Sequence, residues 1–455
     1  MIVVKFGGTS VGDAAAIDRA ASIVRGRLKR KPVVVVSALA GVTNGLIAVG
    51  EQAAKGHLIG ALRGVENMRD RHLKEAELLL AEGEAREEVC GDLSALFDEL
   101  AALAEALATL GHATPRSQDA IASMGEQLSA PLVVACFRER GIDAELVDAR
   151  TVIRTDGMFG RAEPKPDAIA SRVREYVLPL LRGKRVPVMG GFIGSDEETG
   201  VTTTLGRGGS DYSAALIGAA LKAEAIEIWT DVDGMLTADP RVVQGAQLID
   251  TIAFEEASEL ASFGAKVLHP NTIAPAVKLG IPVFIYNSRK PEGSGTRITF
   301  EAPRRAVSAI AGKKGVTVVK VRSSRMLLAH GFLRTIFDIF ARHRTSVDVV
   351  STSEVSVSVT VDDVENLDAL VVDLRALGDV SVERERGVVS LVGGGICDGG
   401  SAMSRALGAV GDVRVHMVSL SATGINLTIV VDDSVVDDVM RRLHSEFFAT
   451  AVPTA

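Results

Sequence analysis

Runs of apolar residues alternate with helical stretches along residues 1–290. The apolar runs are short, continuous and rich in β-branched residues, which is typical of strands buried on both faces of a parallel sheet. They read IVVKF, PVVVVSA, VPVMGGF, AIEIWTD and IPVFIYN. Stretches with a helical pattern separate them, including 13–30, 210–221 and 271–279. This alternation predicts an α/β fold with a mostly parallel central sheet and helices on both faces.

No proline occurs between Pro32 and Pro115, and Ala, Leu and Glu dominate that region. Because proline is disfavoured inside helices, its absence over this length favours long helices. We therefore expect a helical insertion over about residues 45–112. We assign its helices to packing and interfaces rather than to chemistry.

The pattern changes after residues 287–296, where Pro, Gly and Ser mark a domain boundary. From VTVVKV onward, shorter strands and helices follow in the order β-α-β-β-α-β. A second copy of this pattern comes after it but lacks the last strand. Residues 306–312, which precede the first copy, can supply that strand. The sequence thus predicts a first domain and two ferredoxin-like domains, one inserted into the other. Their predicted bounds are 1–295 for the first domain, 314–386 for the inserted one, and 305–313 with 387–449 for the last.

The composition of the 455 residues narrows the class of protein. Hydrophobic residues make up 47% and charged residues 24%, as in ordinary soluble proteins. A net charge of −8 without a basic tract argues against nucleic acid as a partner. No apolar run approaches the roughly 20 residues of a membrane span, and three scattered cysteines fit a reduced compartment. We therefore expect a cytoplasmic protein with no membrane partner.

The first strand ends in KFGGTS, where one cation precedes two glycines and two hydroxyls. Gly7 and Gly8 let backbone N–H groups approach a ligand without hindrance from a Cβ atom. A helix then begins beside this turn, and such an arrangement binds anions, phosphate above all. Lys5 precedes the glycines, so the stretch differs from the P-loop motif. Taken alone, a plain strand-to-helix turn explains it equally well.

Other polar clusters also follow predicted strands, at the edge where open α/β sheets hold their ligands. SALAGVTN offers Thr43 and Asn44, and SMGEQLSA places Glu126 near the start of a helix. In TDVDGMLTADPR, Thr230–Asp231 end a strand. Hydroxyls and carboxylates there suit the ribose of a nucleotide, and Arg241 suits its phosphates.

The cluster GRGGSD is the most informative, because packing rarely requires an arginine among three glycines. The planar guanidinium of Arg207 suits a carboxylate or a phosphate. Ser210 and Asp211 then open a helix as a good N-cap pair. Capping alone is the alternative interpretation of these two residues.

Together these motifs resemble those of the aspartate kinase family within the amino-acid kinase superfamily. The shared motifs are KFGGTSV, GRGGSDYSAAL, TDVDG with TADPR, and FGAKVLHP, followed by paired ACT domains. The resemblance covers essentially the whole chain, and the combination is far more specific than any one motif. It implies an amino-acid kinase-type sandwich followed by two C-terminal ACT domains of the ferredoxin-like fold.

The resemblance implies transfer of the γ-phosphoryl group of ATP to the β-carboxylate of L-aspartate, the first step of lysine, threonine and methionine biosynthesis. That carboxylate is already ionised at neutral pH, so no general base is required, and Mg²⁺ enters on the ATP phosphates. Lys5 would neutralise phosphate charge, with Asp211 as its orienting partner. The residues implied to bind aspartate are Thr43, Glu126, Phe192, Arg207 and Ser210. The residues implied to bind ATP are Lys5, Gly7, Gly8, Thr9, Ser10, Thr230, Asp231, Leu236, Arg241 and Lys266.

The stretch SVDVVSTSEVSVSVTVD resembles the first ACT domain of lysine-inhibited, monofunctional members of the family. It implies inhibition by L-lysine at an interface between ACT domains of a homodimer or homotetramer. The residues implied to bind lysine are Met326, Ser346, Asp348, Thr352, Ser353 and Glu354. Ordinary surface charges are the alternative interpretation of Asp348 and Glu354. The sequence leaves open whether lysine acts alone or together with threonine.

Two other functions remain open on the sequence. One is another carboxylate kinase of the same superfamily, such as a glutamate kinase, which the paired ACT domains and GRGGSDYSA disfavour. The other is an amino-acid-sensing regulator with an inactive kinase domain. The presence of Lys5, Arg207 and Asp211 argues against it, because a decayed site usually loses such charges.

Overall fold

The structure, a computed structural model, describes residues 1–263, 270–327, 329–362, 364–398 and 400–449. Within these ranges the chain forms two compact units, one from residues 1–235 and 270–301 and the other from 236–263 and 302–449. The helices are α1 Ala14–Arg25, α2 Val42–Ala54, α3 Leu58–Leu79, α4 Glu84–Leu110, α5 Pro115–Glu139, α6 Ala149–Val152, α7 Pro166–Arg172, α8 Leu178–Arg182, α9 Gly209–Leu221, α10 Phe254–Ser262, α11 Pro270–Lys278, α12 Phe332–Arg342, α13 Leu367–Arg375, α14 Ser401–Val410 and α15 Val436–Phe448. The strands are β1 Ile2–Phe6, β2 Pro32–Val36, β3 Ala144–Leu146, β4 Arg154–Thr155, β5 Val186–Gly190, β6 Ile193–Asp196, β7 Thr202–Thr204, β8 Ala225–Thr230, β9 Thr251–Ala253, β10 Val283–Asn287, β11 Thr296–Thr299, β12 Ala309–Arg322, β13 Val350–Ser353, β14 Ser356–Val361, β15 Asp379–Val392, β16 Met417–Leu420 and β17 Asn426–Asp432.

The central sheet of the first unit has the strand order β3-β5-β2-β1-β8-β10-β11. Its neighbours are parallel except for the antiparallel pair β10–β11. Strands β1, β2 and β5 are buried along their whole length, as expected for strands covered on both faces. The predicted α/β fold with a mostly parallel sheet is confirmed. A smaller sheet, β4-β6-β7, is not predicted by the sequence pattern.

Two predicted helices begin or end differently in the structure. Helix α1 is capped by Asp13, whose carboxylate accepts a hydrogen bond from the Ala16 N–H at 2.7 Å. It ends at Arg25, and a 3₁₀ turn over Leu28–Arg30 follows, so the predicted helix 13–30 is too long. Helix α5 begins at Pro115 behind a Thr114 cap, much earlier than the motif SMGEQLSA suggests.

Helix α5 is long and apolar enough to cross a membrane by length and composition. However, 78% of the residues in its most apolar window are buried inside the fold. Its inward residues pack in the core of the first unit with those of β2 and α2. Such burial is what the core helix of a soluble protein shows.

The sheet of the second unit has the order β13-β14-β12-β15-β17-β16, and its neighbours are antiparallel. The pattern predicts separate strands on either side of residues 313–315, whereas β12 runs through them as one strand of 14 residues. A register shift between Lys313 and Val316, with Gly315 at φ +75°, absorbs the irregularity without ending the strand. The bounds of the predicted domains stay a prediction.

Candidate active site

A cavity of about 850 Å³ opens in the first unit, where the turns after β1, β2 and β5 meet. Parallel strands bring their carboxyl ends to one edge of a sheet, which explains why segments far apart in sequence converge there. The cavity contains many of the residues that the sequence singles out, namely Lys5, Gly8, Thr43, Asn44, Glu126, Phe192, Arg207, Ser210 and Asp211.

Lys5, near the end of strand β1, supplies one cation of the cavity. Its Nζ lies 2.7 Å from Oδ1 of Asp211, and their side chains are only 10% and 15% exposed. The contact does not have the angles of a hydrogen bond, since Oδ1 is buried without a hydrogen-bond partner among the described residues. The distance makes it an ion pair, and burial leaves the attraction little screened. Both groups therefore keep hydrogen-bonding capacity for a ligand.

The glycine turn after β1 is held from within the protein. The N–H of Gly7 donates to the Trp229 carbonyl at 2.9 Å, so this amide is not free to meet a phosphate as expected. The hydroxyl of Ser10 is buried and bonds the hydroxyl of Ser288 at 2.7 Å. Thr9 is exposed on the outer side of the turn. Ser10 thus holds the shape of the turn, while Gly8 faces the cavity.

Glu126 lies in the middle of α5, contrary to the predicted place near a helix start. Its Oε1 accepts a hydrogen bond from the Ala38 N–H at 3.1 Å, and its buried Oε2 has no partner in the described part of the chain. Burial raises the pKa of Glu126 to about 8, although the Ala38 N–H and the charge of Lys5 lower it. A buried carboxyl with a free oxygen is well suited to a cationic ligand group.

Glycines on both sides turn Arg207 into the cavity. Gly206 and Gly208 lie at φ +74° and +72°, a left-handed conformation that side chains disfavour. Helix α9 begins at Gly209, one residue earlier than predicted, and Gly208 occupies the cap position without a side-chain hydrogen bond. Ser210 and Asp211 therefore lie in the first turn of the helix, and the predicted capping role of this pair is wrong. Their side chains line the cavity instead.

Phe192 lies between β5 and β6 with φ +65°, which is rare for a residue other than glycine. Its N–H donates to Oγ of Ser213 at 3.0 Å, and this bond holds the strained residue against α9. A Cβ on the preceding Gly191 would lie 2.7 Å from Ser210, so glycine is required there. Strained backbone of this kind clusters at functional sites.

Asp119 lines the same cavity, and the sequence reasoning missed it. It is buried and accepts hydrogen bonds from the N–H and hydroxyl of Thr204 at 2.9 and 2.8 Å and from the Gly160 N–H at 2.9 Å. These bonds fix the chain just ahead of Arg207. Asp119 precedes Glu126 by seven residues, about two turns of α5, and this spacing was the available signal.

The residues expected on the nucleotide side are more scattered. Thr230, the last residue of β8, and Asp231 after it belong to the first unit but do not line the cavity. The Thr230 hydroxyl donates to Oδ1 of Asp231 at 3.3 Å. Leu236 and Arg241 belong to the second unit, where the guanidinium of Arg241 pairs with a carboxylate of its own turn at 2.6 Å. Lys266 lies outside the described residues.

A further cavity, of about 730 Å³, lies in the second unit between the start of α12 and the end of β13. Its lining contains four of the residues expected to bind an effector, Met326, Thr352, Ser353 and Glu354, together with Ala329, His330, Gly331, Phe332 and Leu333. The cavity therefore combines one carboxylate and two hydroxyls with backbone at a helix N-terminus.

Ser346 and Asp348 do not line that cavity. Asp348 lies 3.6 Å from Nζ of Lys313. Burial, together with the negative charge of Asp362, raises the pKa of Asp348 to about 6. Four residues of extended chain, about 13 Å, separate Asp348 from Thr352. The expected roles of Ser346 and Asp348 in binding lysine stay a prediction.

Comparison with known proteins identifies the family. A sequence model of the Amino acid kinase family matches residues 1–287. Lysine-sensitive aspartokinase 3 of Escherichia coli is 40% identical, over 98% of this chain and 99% of its own length. The chain belongs to the aspartokinase family. Chloroplastic aspartokinase 3 of Arabidopsis thaliana is 34% identical, over 98% of this chain and 82% of its own length.

Solved aspartokinase structures agree with this membership. That of E. coli aspartokinase III in complex with aspartate and ADP has a TM-score of 0.84 and 39% identity, covering 98% of this chain and 100% of its own. The same enzyme in complex with lysine and aspartate has a TM-score of 0.82 and 38% identity, covering 98% and 99%. The resemblance and the fold class predicted from the sequence are confirmed.

Proposed function

We propose that this chain transfers the γ-phosphoryl group of ATP to the β-carboxylate of L-aspartate, giving 4-phospho-L-aspartate and ADP. The observation that carries the proposal is the convergence of Lys5, Asp211, Glu126 and Arg207 on one cavity. The likeness to an E. coli enzyme whose structure holds aspartate and ADP supports aspartate and an adenine nucleotide as the ligands.

The acceptor side of the cavity fits a small dicarboxylic amino acid. The guanidinium of Arg207 binds a carboxylate through two parallel N–H donors. The free Oε2 of Glu126 accepts the α-ammonium group, and the hydroxyls of Thr43 and Ser210 bond the remaining polar atoms. Phe192 closes one wall. An oxygen of the substrate's β-carboxylate attacks the γ-phosphorus, and the bond to the β–γ bridging oxygen breaks; no proton moves.

The residues near the ATP phosphates act by holding the phosphoryl group in position and by neutralising its charge. Lys5 neutralises the charge that builds on the transferring group, and Asp211 orients its ammonium. Such a preorganised cation contributes on the order of 10²–10³ in rate. Gly8 faces the phosphates from the wall of the cavity, and Thr230 and Asp231, at the end of β8, contact the rest of the nucleotide. Magnesium, held mainly by the phosphates themselves, would supply further neutralisation of the phosphate charge.

Catalysis and control then belong to different parts of the chain. Residues 1–295 form the kinase domain, and two ACT domains, 314–386 and 305–313 with 387–449, form the regulatory part. L-lysine binds in the cavity lined by Met326, Thr352, Ser353 and Glu354. The likeness to a lysine-sensitive enzyme supports this effector. The protein works in the cytoplasm as a homodimer or homotetramer joined through its ACT domains.

The test is an assay that traps the acyl phosphate with hydroxylamine. Purified protein receives ATP and Mg²⁺ with aspartate, with glutamate, or with no acceptor, and each reaction is repeated with lysine. We expect hydroxamate with aspartate only, and less of it with lysine. Faster reaction with glutamate would assign a different carboxylate kinase. Amino-acid binding without turnover of any acceptor would assign a regulator with an inactive kinase domain.

A further inference from the structure

Helix α3 reaches two of the turns that line the first cavity, although no residue of 58–79 lines the cavity itself. Nη1 of Arg71 donates to the Ala40 carbonyl at 2.8 Å, and its Nη2 donates to the Gly12 carbonyl at 2.7 Å. Ala40 lies in the turn between β2 and α2, and Gly12 in the turn between β1 and α1. One guanidinium therefore bridges two segments that only the fold brings together.

The two turns also pack closely against each other. A Cβ on Gly8 would lie 3.0 Å from the Ala38 carbonyl oxygen, and one on Gly12 would lie 3.1 Å from Cβ of Ala40. Van der Waals contact limits how near the turns can come but does little to stop them from sliding or separating. Hydrogen bonds from a charged donor to both backbones supply that restraint.

Other residues of α3 hold the helix in place for this contact. Oε2 of Glu75, four residues after Arg71, accepts a hydrogen bond from the N–H of Ala14 at 2.6 Å, at the start of α1. His72 is buried, donates from Nδ1 to the Met68 carbonyl and packs edge-on against Phe97 of α4. Burial lowers the pKa of His72 to about 4, so it is neutral at pH 7 and packs as an uncharged ring.

We infer that Arg71 is a positioning residue that sets the distance between the turn 7–12 and the turn 37–44. The inference rests on the proposed function, in which the first turn contacts the ATP phosphates and the second, through Thr43, contacts aspartate. Transfer requires the attacking oxygen and the phosphorus to be close and in line. A displacement of about 1 Å can cost on the order of 10² in rate. The helical insertion thereby takes part in catalysis through geometry alone.

The test compares Arg71→Ala, Arg71→Gln and Arg71→Lys with Lys74→Ala, an exposed position on the same helix. Hydrogen exchange of the ligand-free proteins is followed in peptides that cover 7–14 and 37–44. We expect faster exchange in both segments for Arg71→Ala, and in at least one for Arg71→Gln, whose single amide reaches only one carbonyl. Arg71→Lys keeps a charged donor and restores part of the protection, and Lys74→Ala matches wild type.

Kinetics of the same set separate positioning from simple destabilisation. We expect kcat of Arg71→Ala, per folded molecule, to fall about tenfold or more, with each KM changed by less than about threefold. Unchanged exchange in both turns, or full kcat, overturns the inference. If Arg71→Ala does not fold, Arg71→Gln and Arg71→Lys decide by the same criteria. Exchange is measured without substrates, so its result stands even if the wild-type protein lacks aspartate kinase activity.

Discussion

The ammonium of Lys5 and the carboxylate of Asp211 form an ion pair between the first strand and helix α9, 206 positions apart along the chain. Strand β1 lies between β2 and β8, which fixes the backbone of Lys5 on both sides. The charge is therefore positioned before any ligand arrives. A charge held in place in this way needs no rearrangement during the reaction. Replacing a single residue of the pair therefore has a large kinetic effect.

Replacing Lys5 with alanine should lower kcat by on the order of 10²–10³, because it removes the cation that stabilises the transferring group. The hydroxamate assay measures the loss, and circular dichroism checks that the fold persists. Lys29→Ala, at an exposed position, is the control and should behave as wild type. A Lys5→Ala protein that keeps more than about half of the wild-type kcat would contradict the assigned role.

Arg207→Lys should raise the KM for aspartate steeply and leave the KM for ATP nearly unchanged. A guanidinium binds a carboxylate with two parallel bonds, whereas an ammonium acts as a point charge. Steady-state kinetics with each substrate varied in turn distinguish an effect on aspartate binding from an effect on ATP binding. Arg172→Lys, in a partly exposed ion pair with Glu175, is the matched control. If the KM for ATP is the one that rises, Arg207 belongs to the phosphate side.

Glu126 makes stability depend on pH. Its pKa is about 8 in the folded chain, against an ordinary value of 4.5. Between these values the folded state holds a proton that the unfolded state has lost, so the free energy of unfolding falls as pH rises. This contribution is complete below pH 4.5 and lost above about 8, with a slope of at most about 1.4 kcal/mol per pH unit.

Glu126→Gln should therefore show a smaller loss of stability than wild type between pH 5 and pH 8. Denaturant unfolding at several pH values gives both profiles, and Glu139→Gln at the end of α5 serves as the control. Parallel profiles for Glu126→Gln and wild type would mean that Glu126 is ionised at neutral pH without a ligand.

Asp119→Asn should loosen the chain ahead of Arg207. The new NH₂ group would face N–H donors of Thr204 or Gly160, and such mispairing costs about 1–3 kcal/mol. We expect a lower melting temperature together with a higher KM for aspartate. Asp92→Asn, on an exposed face of α4, should change neither quantity. A stable variant with an unchanged KM would show that Asp119 does not position the arginine.

Glu354→Ala should raise the lysine concentration needed for half inhibition at least several-fold, since coupling between sites is typically 1–3 kcal/mol. Uninhibited activity should stay near wild type. Asp348→Ala is the informative comparison, because Asp348 pairs with Lys313 away from the cavity and should have the smaller effect. A larger effect of Asp348→Ala would place lysine elsewhere. A wild-type protein that ignores lysine and responds to threonine would reassign the effector.

The sequence predicted much of the first cavity because its chemistry lies at the ends of strands and in the segments that follow them. Lys5, Arg207 and Asp211 each stand out beside glycines, and parallel strands bring such turns to one edge. The motif SMGEQLSA singled out Glu126, but it did not predict that Glu126 lies in the middle of α5. That place depends on a helix start at Pro115, eleven residues earlier.

The contacts of Asp119 and Arg71 could not be predicted in the same way. Both side chains bond backbone groups of segments remote in sequence, and any residue type at those positions would offer the same N–H or carbonyl. No pattern in the chain therefore indicates the partners. That Asp348 lies outside the second cavity could not be predicted for a related reason, since a strand pattern shows which residues are extended but not which end of the strand borders a cavity.

The long strands of the second unit have a practical consequence. Because β12 and β15 each run unbroken through both halves of that sheet, cutting the chain near residues 314 or 386 would sever a strand rather than a loop. Either fragment would expose backbone donors and acceptors that now pair with a neighbour, and unpaired edges of this kind promote aggregation. A fragment made to study effector binding in isolation should therefore keep β12 and β15 whole.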